Sequence, residues 1–137
     1  MATITWWGHA TVTVEDSGVR VLTDPLFPRW LGHLRRRHGP PPPAGAARAD
    51  VAVVSHLHAD HLHTPSLARL APGTRVLVPR GAVRAVPALR RLWARGIEVV
   101  EVRVGDEVQA GPGVVVRVVP AAHDGRRWPL GRQRAQA

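Results

Sequence analysis

The sequence has no cysteine and no lysine, and its aromatic side chains are few. Without cysteine there are no disulfides and no thiolate metal sites, so a bound metal would have to be held by nitrogen and oxygen. The same absence fits a reducing compartment, and a cytoplasmic location is the expectation. No run of about 18 apolar residues occurs, so no transmembrane helix is expected, and the amino terminus carries no signal-peptide pattern. The absence of lysine changes how the charge reads. All 19 basic residues are arginine, and they outweigh 10 acidic residues to give a net charge of +9. Together with heavy alanine, valine, glycine and proline usage, this points to codon bias from a GC-rich genome. The aromatics are not interleaved with the arginines, as a base-stacking platform would require. No specific nucleic-acid partner is expected, only non-specific adherence to polyanions.

What is present suits one domain over residues 1–137, long enough to bury roughly 65–70% of its unfolded surface. Three strands open the chain, Thr3 to Trp7, Ala10 to Glu15 and Val19 to Thr23, the last two joined by an Asp16-Ser17-Gly18 turn. Residues 27–49 are irregular. They hold Arg35-Arg36-Arg37, His33, His38 and the run Pro40 to Pro43, which excludes helix or central strand there. His33 and His38 read as solvated loop residues. Val51 to Val54 is a buried strand. A short helix starting at Thr64-Pro65, with Thr64 as its cap, a strand from Arg75 to Val78 and a helix from Ala82 to Ala94 follow. Val83, Val86, Leu89, Leu92 and Trp93 fall mostly on one face of that helix, and Pro87 marks a kink or a break in it. Strands at Ile97 to Val100, Gly105 to Ala110 and Val114 to Val119 complete the pattern. The expectation is an α/β fold in which the valine-rich runs Val51–Val54, Val99–Val104 and Val114–Val119 share a sheet, with the Ala82–Ala94 helix on one face.

Chemistry concentrates in Ser55-His56-Leu57-His58-Ala59-Asp60-His61-Leu62-His63, where four of the eight histidines lie within nine residues. The cluster follows a strand directly, which is where open α/β sheets keep their ligands. His56 and His58 are two apart, so on extended backbone they point the same way and can chelate one transition metal. Asp60 and His61, at the turn into the next helix, aim at a nearby but different point and can serve a second. Imidazole and carboxylate suit zinc best, with manganese or iron(II) also compatible. His63 is expected to face solvent at the helix entry.

The string His56-Leu57-His58-Ala59-Asp60-His61 resembles the signature of the metallo-β-lactamase fold hydrolases. WWGHATVTVEDSGVRVLTDPLF, from Trp6 to Phe27, and PAAHDGRRWPL, from Pro120 to Leu130, resemble one branch of that superfamily. It is the branch of the N-acyl-phosphatidylethanolamine phospholipase D and ascorbate-phosphate lactonase types. The resemblance implies a zinc-dependent hydrolase cleaving an ester, lactone or phosphodiester of a small-molecule substrate with a metal-activated water. It places His56, His58 and His123 on the first metal and Asp60 and His61 on the second, with Asp60 also holding the nucleophilic water. Asp24 reads either as a carboxylate supporting the ligands from behind or as a turn cap before Pro25. His9 reads either as a residue at the substrate mouth or as a turn histidine packed against Trp6 or Trp7. Asp124 is either a supporting or an exposed carboxylate.

The likeness runs from Trp6 to about Leu130 and implies the amino-terminal half of the family's αβ/βα sandwich, a mixed β-sheet with flanking helices. The second half supplies a bridging aspartate and a final histidine, which nothing here matches. Only Asp60 and His61 remain for a second metal. One zinc is therefore expected, against two in a complete member, and activity of the chain alone is doubtful. A non-catalytic zinc-binding remnant, or a half-domain needing a partner, is the alternative. The sheet face that the second half would cover is expected to drive self-association.

Overall fold

The computed structural model describes residues 1–123 together with Arg126 and Arg127. The chain opens as a meander of β1 (Thr3–Gly8), β2 (Thr11–Asp16) and β3 (Val19–Thr23), paired antiparallel in that order. A long excursion follows. It contains the small hairpin of β4 (Trp30–Leu31) and β5 (Leu34–Arg35) and a 3-10 turn at Ala44–Ala47. The chain then enters β6 (Val51–Val53), which lies parallel to β3. The short helix α1 (Thr64–Leu67) leads to β7 (Arg75–Pro79). Next come α2 (Ala82–Ala85) and a 3-10 helix at Pro87–Arg95, which lead to β8 (Glu98–Val102). The result is a mixed six-stranded sheet in the order β1-β2-β3-β6-β7-β8. A separate hairpin of β9 (Glu107–Gly111) and β10 (Val114–Arg117) ends the described elements.

The period-2 pattern of the strands sorts the core into two layers. Leu22, Ala52, Val54, Val76 and Val78 point to the side carrying the helices, where they meet Leu67, Leu70, Leu89, Leu92 and Ile97. Val19, Val51 and Leu77 point to the other side and pack with Ala110 of the hairpin. The central strands β6 and β7 are thus apolar on both faces, as strands covered on two sides must be.

Four expectations change. The run at Val114 does not join the main sheet; it folds back on β9 and lies over the second face, covering part of the surface expected to be bare. The segment expected as one helix from Ala82 to Ala94 breaks at Val86, because Pro87 lacks the amide that an unbroken helix needs there. Trp93 is exposed rather than part of the packed face. The cap of α1 is His63 rather than Thr64: its Nδ1 accepts a hydrogen bond from the Ser66 amide at 3.2 Å, and the ring is half-buried rather than solvated.

Candidate metal centre

The segment after β6 turns back sharply, with the amides of His61 and Leu62 both donating to the His58 carbonyl, at 2.9 and 2.8 Å. Leu57 and Leu62 point into the core and are fully buried. Each such leucine contributes about 1.5–3 kcal/mol, so two apolar anchors pin the loop. The residues between them, His58, Asp60 and His61, are left facing the opening, next to His56.

The structure brings His56, His58 and His123 together, with one ring nitrogen from each within 4.8 Å of the others. Ring centroids stand 4.1 Å apart for His56 and His123 and 4.6 Å for His58 and His123. Burial, and then the neighbouring rings of His61, His123 and His58, push the His56 pKa down to about 4. Its imidazole is therefore neutral at pH 7, the form that can ligate a cation.

Asp60 and His61 come together as expected, and His9 joins them. His9 Nε2 lies 3.0 Å from Asp60 Oδ2, and His61 Nε2 lies 3.7 Å from the same oxygen. The Trp6 indole donates to the His9 carbonyl at 2.9 Å, so the tryptophan holds the turn while the ring of His9 goes to Asp60. Gly8 and His9 both have positive φ, +100° and +54°, at a shift of register between β1 and β2. Such backbone is costly for a residue with a side chain and collects at functional sites.

Asp24 sits behind both groups and is buried. Its carboxylate accepts from the Ser55 amide and the Ser55 hydroxyl, both at 2.7 Å, and from His61 Nδ1 at 2.8 Å. Burial works to raise its pKa, but the hydrogen bonds from His61 and Ser55 outweigh it and leave the pKa below the ordinary value. For His61, burial works downward and the Asp24 hydrogen bond prevails, so that pKa is raised. A proton inventory extends the effect to His56. Ser55 has one hydroxyl proton and gives it to Asp24, so the 2.9 Å contact between Ser55 Oγ and His56 Nδ1 must be donated by the histidine. Asp24 thereby fixes the tautomer of His61 directly and of His56 through Ser55, and each presents Nε2 outward.

In the sequence Arg127 stands out only as part of the PAAHDGRRWPL string. Its Nη1 donates to the carbonyls of Leu57, at 2.8 Å, and Leu62. It ties the segment that follows His123 to both buried ends of the histidine loop. Asp124 lies outside the described residues. A cavity of about 370 Å³ opens beside His9 and Asp60, lined also by Trp6, Leu26, Leu31 and Arg35. His33 and His38 are exposed, as expected.

Comparison with known proteins agrees with this geometry. Residues 19–137 match the family described as the Beta-lactamase superfamily domain. The chain belongs to this metallo-β-lactamase superfamily. It is 33% identical over 136 residues to N-acyl-phosphatidylethanolamine-hydrolyzing phospholipase D 1 of Caenorhabditis elegans, an alignment covering 90% of this chain and 38% of that protein. It is also 35% identical over 78 residues to a metal-dependent hydrolase of Aeropyrum pernix, covering 56% of this chain and 29% of that one. Among solved structures it resembles CmlA, a diiron β-hydroxylase from Streptomyces venezuelae, with a TM-score of 0.66 and 25% identity over 98% of this chain and 26% of that one. The chain thus spans little more than a third of the worm protein's length. The name metal-dependent hydrolase belongs to the Aeropyrum pernix relative, as β-hydroxylase does to CmlA. Among the described residues no helix is long and apolar enough to cross a membrane.

Proposed function

We propose that the chain carries the zinc-binding portion of a hydrolase acting on an ester, lactone or phosphodiester of a small molecule. The observation that carries this reading is the convergence of His56, His58 and His123 on one point beside a carboxylate, Asp60, at the mouth of a cavity. The donor set fits the metal: three imidazoles leave a fourth position open, as catalytic zinc requires. Zinc bound there would lower the pKa of a coordinated water to about 7 and polarise the oxygen under attack. The residues of the chain do the rest. Asp24 and Ser55 hold the His56 ring with Nε2 outward, Arg127 keeps the His123 segment against the loop, and Asp60 accepts a proton or hydrogen bond from the water. The alternative is a non-catalytic zinc-binding remnant or a half-domain needing a partner.

Elemental analysis of purified protein, followed by a hydrolysis screen, tests the reading. His58→Ala should lose most bound zinc. Retention of wild-type zinc by that variant would remove the assignment, and zinc bound without turnover on esters, lactones or phosphodiesters would favour the remnant.

A further inference from the structure

We infer that the cavity beside His9 and Asp60 is a recognition pocket for an organic anion: an apolar body carrying one carboxylate or phosphate, which the arginines of residues 29–37 receive. The inference deepens the proposed hydrolase and rests on that reading for its consequence, that the anion is a part of the substrate away from the reacting bond.

The charge comes from one segment. Between Asp24 and Asp50 there is no acidic residue, yet Arg29, Arg35, Arg36 and Arg37 fall within nine positions. All four line the cavity of about 370 Å³, which Trp6, Leu26 and Leu31 make largely apolar. Its volume is in the range that takes a small ligand. Among the described residues none of the four arginines pairs with a carboxylate. The one carboxylate lining the cavity, Asp60, stands 3.0 Å from His9 Nε2 and 3.7 Å from His61 Nε2 instead. Arg36 shows the imbalance best. Its Nη atoms donate to neutral carbonyls, of Trp7 and Leu26, and its Nε is buried without a hydrogen-bond partner. Arg35 is held by its neighbour, with its guanidinium carbon 5.5 Å from the Trp30 ring centroid. Four like charges around one apolar concavity repel one another, and no described carboxylate offsets them. A carboxylate or phosphate ligand does, because the planar guanidinium fork meets either group with two parallel bonds. The apolar lining adds about fourfold in affinity for each methylene buried against it. None of His56, His58 and His123 lines the cavity, so an anion held by the arginines lies apart from the three-histidine set.

The test follows the Trp6 indole N–H resonance of zinc-loaded, labelled protein during titration with hexyl phosphate, hexanoate, hexanol and inorganic phosphate. One or both hexyl anions should shift it saturably and bind at least about tenfold more tightly than hexanol or inorganic phosphate. The tighter of the two names the group. The preference should persist after the metal is stripped, because it comes from the arginines. Arg29→Gln combined with Arg35→Gln, both exposed, should weaken hexyl-anion binding about tenfold and leave zinc content unchanged. A preference that vanishes with the metal places the anion on zinc and overturns the proposal. Equal affinity for hexanol, inorganic phosphate binding as tightly as hexyl phosphate, a Trp6 resonance that stays still, or a double variant with its preference intact overturns it too. Turnover in the hydrolysis screen is scored separately: its absence beside intact anion binding counts against the hydrolase and not against the pocket.

Discussion

Asp24 accepts three hydrogen bonds while buried, and it does so at φ +36°, in the left-handed region. Thr11 Oγ1 donates to its carbonyl at 2.8 Å, and its own amide donates to Val53 at 2.8 Å, so the residue is fixed from three sides. Asp24→Asn keeps shape and tolerates the backbone but removes the charge. Bonds to a charged group are worth about 1.5–3 kcal/mol, so metal-free Asp24→Asn should be destabilised by about that much in urea unfolding. It should also bind zinc about 10–100-fold more weakly, because the tautomers of His56 and His61 are no longer enforced. Unchanged affinity would mean the carboxylate only caps its turn. His56 gives a second test at this scale. Its pKa of about 4 lies below the ordinary 6.5. In the metal-free protein the unfolded chain therefore takes up the His56 proton at higher pH than the folded chain does. The stability this ring contributes is complete above about pH 6.5 and is lost as pH falls toward 4. A proton NMR titration of the metal-free protein should show the His56 ring resonances moving near pH 4. Resonances moving at the ordinary value would contradict the burial of this ring and its crowding by His61, His123 and His58.

The excursion between β3 and β6 is anchored by Phe27, Ala46 and Ala47 in the core, and its hairpin is tied back to the sheet by Arg36. Arg36 donates to the carbonyls of Trp7 at 2.7 Å and Leu26 at 2.6 Å, spanning the end of β1 and the start of the loop. A β-carbon on Gly8 would collide with the Arg36 guanidinium, and the φ of +100° there is open only to glycine at low cost. Gly8→Ala should cost at least about 1–2 kcal/mol from the backbone alone and should release the loop. Hydrogen exchange should then speed up in residues 29–37 before it does in β6 or β7. Exchange rising uniformly would show that the loop is held by something else. This element also shows what could be read in the sequence. The strands were legible because valine alternates where one face is buried, and the histidine loop was legible because its ligands sit side by side. The place of β10 was not. Val114 and Val116 face inward while Val115 and Arg117 face out, and that alternation is the same whether a strand joins a sheet edge or lies across a sheet face. The part of His9 in the second cluster was hidden for a similar reason. It meets Asp60 only because β1 and β2 slip register at Gly8, and no spacing in the sequence encodes that slip. The His63 cap was missed because an imidazole took the amide that a threonine hydroxyl was expected to take.

At the scale of the whole molecule, charge and exposed apolar surface act against each other. The net charge of +9 repels copies of the chain from one another. Yet Val104 and Val119 are exposed around an apolar groove of about 260 Å³ between the hairpin and the ends of β6, β7 and β8. The β9–β10 hairpin covers the sheet's second face only in part, and the groove marks where the cover stops. Burying apolar surface is favourable at about 25 cal/mol per Å², whereas the repulsion between copies is long-ranged and weakens with salt. Self-association through this face should therefore be slight at low ionic strength and grow as salt is raised. Contacts made by ion pairs would show the opposite dependence. Sedimentation velocity of the zinc-loaded chain at two salt concentrations separates these cases. Substituting Val104→Asp, exposed on the groove and away from every ligand, should abolish the salt-promoted species without altering zinc content. A monomer at both salt concentrations would show that the hairpin covers the sheet well enough by itself, and association that fades as salt rises would place the contact on the arginines instead.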